Sequence, residues 1–256
     1  MMIKCKTERE IELMRRVGRI TSEARQIAGS MVARGATTIS IDKRVNEFIR
    51  SRGAVPAFLN YNGFPASICV SVNEEVIHGI PSSRKLLEGD LVSLDVGALM
   101  GGYVGDCAAT YIAGRADAEA ERLINVTRQC FYEGIRFARV GYRVSDISRA
   151  IQRYAEENGY SVVREFVGHG IGNKMHEPPE IPNYIEDRRV RPDPRLLPGM
   201  TLAIEPMVNE GGAAIRIQSD GFTVVTADGK RSAHYENTIL ITQGEPEILT
   251  YCEGMP

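Results

Sequence analysis

LDVGALMGGYVGD, residues 94–106, reads as two strands joined by a glycine turn. The run Leu91-Val-Ser-Leu-Asp-Val leading into it is apolar and β-rich, as a buried strand requires, and Tyr103 to Ile112 is its return. Adjacent glycines after Met100 supply the positive φ that a tight hairpin demands. A turn between Met100 and Gly101 would set Asp95 directly opposite Asp106; a one-residue bulge would leave them diagonal neighbours. Like charges facing each other destabilise a sheet, so a buried acid pair of this kind needs a cation. The hairpin thus predicts an antiparallel sheet, and with the helices around it an α+β fold.

The helices come in two matching sets. Thr7, followed by Glu8 and Glu10, is a plausible N-cap, and Ile11, Met14, Val17, Gly18, Ile27 and Met31 carry an apolar stripe to about Arg34. A glycine turn at Gly35 opens a second helix that runs to Gly53. The stretch from Gly141 to Gly159 repeats this pattern. Shifted by 106 positions, Ile41 falls on Ile147, Val45 on Ile151 and Phe48 on Tyr154, one face of a helix in each copy. A long helix, about 117–139, precedes the second copy as one precedes the first. Two copies predict an internal pseudo-twofold rather than a solenoid. No Pro/Gly/Ser linker divides the chain, so the reading is one domain, 1–256, with halves at about 1–112 and 113–256 and a site at their seam. Further strands are predicted at 67–73, 161–166, 201–208, 213–218, 222–226 and 234–242.

Composition excludes several classes. A formal net charge of −2 offers no basic excess for a nucleic-acid or membrane partner. No stretch approaches the roughly 18 apolar residues of a membrane span, and the charged start has no apolar core of a leader. Five widely spaced cysteines without CxxC suit free thiols in a reducing, cytoplasmic setting.

Chemistry-bearing residues recur in four stretches. Asp95 and Asp106 sit in the hairpin, His169 in GHGIG, Glu205 before Pro206, and Glu236 in HYENTILIT, with His78 close by. The glycines around His169 read as a flexible loop that admits an ion or substrate. Glu205 ends an apolar run, where an acid is seldom buried without a partner. Four carboxylates share a small volume only around cations, which points to two divalent metals and a hydrolase. Two such ions balance the four acids and leave room for one hydroxide. The oxygen-rich donor set suits Mn, Fe(II) or Co, with Zn also compatible.

Taken together, NEEVIHGIP (73–81), LDVG…GGYVGDCAATY (94–111), GHGIG…MHEPPEIPNY (168–184), PGMTLAIEP (198–206) and AHYENTILIT (233–242) resemble the type I methionine aminopeptidases, over nearly the whole chain. The resemblance implies the pita-bread metallopeptidase fold, a curved antiparallel sheet with helices outside. It implies that Asp95 binds one metal, that His169 and Glu205 bind the other, and that Asp106 and Glu236 bridge them. Glu205 would also be the proton acceptor, His176 would donate to the oxyanion, and His78 would orient the second residue's amide. The family's pocket positions match Phe58, Tyr61, Phe64, Cys69, Met175 and Phe222; Phe58 stands where the family has a smaller residue, and Met175 where it has an aromatic. His234, on the strand of Glu236, is read as a structural residue behind a complete ligand set.

The implied substrate is the N-terminal methionine of nascent proteins, with a small second residue preferred. A transient meeting with the ribosome and a monomeric state fit that role. Two alternatives stand beside it: an Xaa-Pro aminopeptidase of the same fold, and a non-enzymatic binding protein. Relatives of the first kind carry an extra N-terminal domain, and the second would have lost ligands that here are all filled.

Overall fold

Helix α2 (Thr38–Ser51) and helix α4 (Val144–Glu157) each span 14 residues and lie 106 positions apart, the offset read in the sequence. The computed structural model describes residues 3–185 and 192–252. In it, α1 (Glu8–Ser30) precedes α2 and α3 (Ala118–Ile135) precedes α4. Thr7 and Glu10 close a capping box at the start of α1, and Asp117 caps α3. Gly35 and Gly53, with their counterparts Gly141 and Gly159, have φ of 88°, 74°, 98° and 85°, a left-handed backbone that glycine adopts without strain. Both long helices stop short of the predicted ends at Arg34 and Arg139. Beyond Ile135 the chain tightens into i→i+3 bonds, from Phe137 N–H to Gly134 and from Ala138 N–H to Ile135.

A second echo, unread in the sequence, ties the halves together. Lys85-Leu-Leu-Glu-Gly and Arg195-Leu-Leu-Pro-Gly lie 110 positions apart, and bridges join Thr37 to Lys85 and Arg143 to Arg195. Gly89 and Gly199 share a φ of 86°. The same offset carries Asp95 onto Glu205.

The strands, in chain order, are β1 (Val55–Pro56), β2 (Ile68–Val72), β3 (Glu75–Ile77), β4 (Leu91–Met100), β5 (Tyr103–Ile112), β6 (Ser161–Val162), β7 (Gly168–Gly170) and β8 (Glu177–Ile181). There follow β9 (Thr201–Ile204), β10 (Met207–Asn209), β11 (Ile215–Ile217), β12 (Val224–Thr226), β13 (Ser232–His234), β14 (Glu236–Leu240) and β15 (Glu247–Ile248). The large sheet runs β1-β4-β5-β14-β9-β7-β8, with β2 also on β4 and β15 on β14. Two small sheets, β13-β10-β6 and β11-β12-β3, flank it. The predicted strands at 201–208 and 234–242 each break in two, at Glu205-Pro206 and at Tyr235. Proline has no N–H for the ladder, and Tyr235 N–H turns aside to the Pro206 carbonyl. His234 and Glu236 therefore end up on different strands, against the sequence reading.

The hairpin turns on Gly101 and Gly102, with φ of 60° and 82°, and Met100 pairs with Tyr103. The register sets Asp95 opposite Ala108 and Asp106 opposite Gly97, so the two acids are diagonal neighbours, not directly opposed. Period-2 alternation does the rest. Val92, Leu94 and Val96 of β4 pack with Ile41, Val45 and Ile49 of α2 and with Val17 and Ala24 of α1. Leu202, Ile204 and Ile239 pack with Leu123 and Phe131 of α3 and with Ile147 and Ile151 of α4. The acids of β4, β9 and β14 occupy the alternate positions and face away from the helices.

Arg25, in the middle of α1, is 1 % exposed, and no pattern in the sequence flagged it. Its Nη1 donates to the Ala108 carbonyl at 2.9 Å and the Glu236 carbonyl at 3.1 Å. β5 and β14 pair at only two positions, Ala108 with Glu236 and Cys107 with Asn237. The guanidinium thus fastens the seam between the halves from behind. Thr238 fastens it from within the sheet: its hydroxyl donates to the Asp106 carbonyl at 2.8 Å and accepts from the Asp106 N–H at 3.1 Å.

Candidate active site

Five neighbouring strands deliver one chemistry-bearing residue each: Asp95 from β4, Asp106 from β5, Glu236 from β14, Glu205 from the end of β9, and His169 from β7. All five line one cavity of about 290 Å³. His78 and His176 line it too, as do Phe58, Tyr61, Phe64, Cys69, Met175 and Phe222, so the ligand, substrate and pocket residues expected from the sequence meet there, while His234 lies behind the wall. Sequence reasoning missed Asn62, Ile77, Phe166 and Val167 of the same wall. Phe166 and Val167 directly precede GHGIG, and Ile77 precedes His78, so adjacency to the motifs was the available signal.

The first three residues of GHGIG form strand β7, not a flexible loop. A Cβ at Gly168 would lie 2.5 Å from the Ala203 carbonyl oxygen, and one at Gly170 2.3 Å from that of Pro178. The glycines are there so that β7 can lie close between β8 and β9. His169 is held accordingly. Its Nδ1 is 2.9 Å from the Gly170 carbonyl, which can only accept, so Nδ1 carries the hydrogen and Nε2 keeps its lone pair. That Nε2 stands 3.4 Å from Glu205 Oε1.

Electrostatics inside the cavity are extreme for a chain without cations. Burial pushes the Asp95 carboxyl up to about 7, with the Asp106 hydrogen bond and Arg25 pulling the other way. Asp106, Glu205 and Glu236 are driven well above the usual carboxylate range, first by burial and then by one another's charge. Burial holds His169 down to about 3 and His78 to about 4, each lowered further by His176. Asp95 Oδ1, Asp106 Oδ1 and Glu236 Oε1 are buried without a hydrogen-bond partner. Orphaned acceptors of this kind fit divalent ions, whose charge would reverse the shifts. Asp106, His169 and Glu236 offer ligand atoms within 4.8 Å of one another, and so do Asp95, His234 and Glu236.

The other polar groups frame a substrate. Tyr61 Oη lies 2.8 Å from His176 Nδ1, and the His176 and His169 rings stand 4.3 Å apart. His78 adopts a left-handed φ of 60°, an uncommon backbone for a non-glycine residue, and its ring meets Phe166 edge-on at 5.5 Å. Phe64 and Phe222 pack edge-to-face at 5.5 Å. Cys107, beside Asp106 in sequence, alternates to the opposite face and is fully buried away from the cavity.

Comparison with known proteins places these features in a family. The model of metallopeptidase family M24 matches residues 12–243. A methionine aminopeptidase of Clostridium acetobutylicum is 50% identical over 253 residues, covering 98% of this chain and all of that one. The crystal structure of methionine aminopeptidase from Rickettsia prowazekii superposes with a TM-score of 0.94 at 40% identity, over 98% of this chain and 100% of that one. Prolidase from Pyrococcus furiosus shares the fold alone, with a TM-score of 0.79 at 23% identity, over 97% of this chain and 66% of that one. The pita-bread fold, whole-length identity to methionine aminopeptidases and a match to the family model together establish that this chain belongs to metallopeptidase family M24, in its type I methionine aminopeptidase branch.

Proposed function

We propose that this chain is a hydrolase that removes the N-terminal methionine from peptides and nascent proteins, preferring a small second residue, with two divalent ions held by Asp95, Asp106, His169, Glu205 and Glu236. The single observation that carries this reading is the convergence of four carboxyls and one imidazole, from five adjacent strands, on one cavity whose wall also holds Phe58, Phe64, Met175 and Phe222. Residues 1–256 then act as one catalytic domain, since both halves supply ligands. Mn, Fe(II), Co and Zn all suit the donors. The enzyme works as a cytoplasmic monomer that meets its substrates as they leave the ribosome; among the described residues no helix is long and apolar enough to cross a membrane.

Divalent ions held by these residues would neutralise the acids and supply Lewis-acid activation of water and of the scissile carbonyl. The chain's own residues do the remaining work. Phe58, Phe64, Cys69, Met175 and Phe222 exclude water around the methionine side chain, with soft, polarizable contacts suited to a thioether. Glu205 takes a proton at its carboxylate and returns it to the leaving amine. Tyr61, donating its hydroxyl hydrogen to His176 Nδ1, keeps the His176 proton on Nε2, where it meets the developing oxyanion. His78 orients the amide of the second residue. The free α-amine of the substrate sits at the Asp95 end, which restricts cleavage to the first peptide bond.

Glu205→Gln tests the mechanism: turnover falls by about 10²- to 10⁴-fold while bound metal is measured in parallel. Undiminished turnover removes the proton-transfer role. Release of methionine from Met-Ala-Ser peptides, lost with a chelator and absent for Xaa-Pro peptides, tests the activity itself.

A further inference from the structure

His234 is 2 % exposed, and its Nε2 has no hydrogen-bond partner among the described residues. The closest acid, Glu236 Oε2, is 3.7 Å away, beyond hydrogen-bonding range. The residue is not loosely placed. Thr110 Oγ1 accepts from the His234 N–H at 2.9 Å and donates to the His234 carbonyl at 3.0 Å, and Ser93 Oγ braces Thr110 at 2.8 Å. The fold thus holds an imidazole nitrogen in a buried place where no atom of the described residues satisfies it. An orphaned buried nitrogen costs its full desolvation, so a partner of another kind is indicated.

The surroundings say which kind. Asp95, His234 and Glu236 can each offer an atom within 4.8 Å of the other two, as can Asp106, His169 and Glu236. These are overlapping cradles that share Glu236 and carry one imidazole apiece. His169 comes from β7 and His234 from the short strand β13, so each cradle draws its imidazole from a different strand. We propose that His234 is itself a metal ligand on the Asp95 side, so that the site holds two imidazoles, one for each ion. The inference rests on the reading that the cavity binds two divalent ions and deepens it. An added nitrogen donor favours Co or Zn over the harder Mn.

X-ray absorption on the wild-type chain loaded with two equivalents of Co counts imidazoles directly and needs no variant. Two per pair of ions is the expected result; one overturns the proposal. His234→Gln and His234→Ala, shown to be folded by circular dichroism, are then titrated calorimetrically with Co and with Mn. Affinity for one of the two equivalents should fall by about 10- to 100-fold, more for Co than for Mn, with the imidazole count dropping to one. A weakened affinity with an unchanged count also overturns direct ligation. Wild-type protein that binds fewer than two ions defeats the two-ion reading itself, a result distinct from two bound ions with a single imidazole.

Discussion

Phe58 fits because Gly97 has no side chain. A Cβ on Gly97 would lie 2.6 Å from Phe58 Cε1, so the ring that stands where relatives of this type are expected to carry a smaller residue occupies space ceded by the strand beside it. Phe58 is 9 % exposed, and its ring forms cavity wall rather than surface. Gly97→Ala pushes that ring toward the methionine pocket. Because displacing a substrate by about 1 Å can cost 10²-fold, kcat/KM for a Met-Ala-Ser peptide should drop by about 10- to 100-fold. Gly97→Ala combined with Phe58→Cys should recover most of it, measured in the same assay. A single variant with unchanged kcat/KM would detach Phe58 from the pocket. Phe58 was legible in the sequence only through the family resemblance, which assigns its position to the pocket; the Gly97 partnership was not, since it depends on which face of β4 meets the 55–58 segment.

Among the elements, the loop from Gly172 to Glu177 shows how a distant segment supports the site. Lys6 Nζ pairs with Glu177 Oε2 at 2.7 Å, and both side chains are almost fully buried. A Cβ on Gly172 would collide with Lys6 Cε at 2.5 Å, so the loop closes around the lysine. The Lys6 N–H donates to the Gly199 carbonyl and the Lys174 N–H to Glu177 Oε1. Met175 and His176 ride on this loop. Lys6→Met leaves a buried carboxylate without its cation, which costs about 3–5 kcal/mol of stability. Lys6→Met with Glu177→Gln should regain most of that, and denaturant melts of both variants check it. Helix pairs were legible in number, spacing and buried face, though not in where the long helices end, because amphipathic period and glycine stops are local signals. The GHGIG strand and the short strand β8 were not. Their glycines and prolines look like loop in isolation, and only neighbouring backbone explains them.

At the scale of the molecule, the buried acids make folding and ion binding one problem. Between the ordinary carboxyl range and about pH 6.5 two effects oppose each other. The native chain keeps carboxyl protons that the unfolded chain has lost, and lacks protons that unfolded His78 and His169 hold. Above about pH 6.5 the histidines are neutral in both states and only the raised groups remain. Native Asp106, Glu205 and Glu236 then bind more protons than the unfolded chain, so stability declines as pH rises. The Tm of metal-free protein should therefore fall between about pH 7 and pH 9. Cys69 and Cys107, whose thiols are raised first by burial and then by the neighbouring acids, contribute to that fall, and ions relieve only the part due to the acids. Excess Co or Mn should flatten the decline, and a metal-free Tm that rises over this range would contradict the account; differential scanning fluorimetry reads both. The pseudo-twofold was legible as a helix repeat, yet its deeper form, Asp95 and Glu205 at matching places, needed the shared turns at Gly89 and Gly199. The narrow two-residue junction of β5 with β14 has a practical meaning. A chain cut in the connection before α3 would give fragments that each carry part of an acid cluster and no way to discharge it, so ion uptake would report reunion of the pieces.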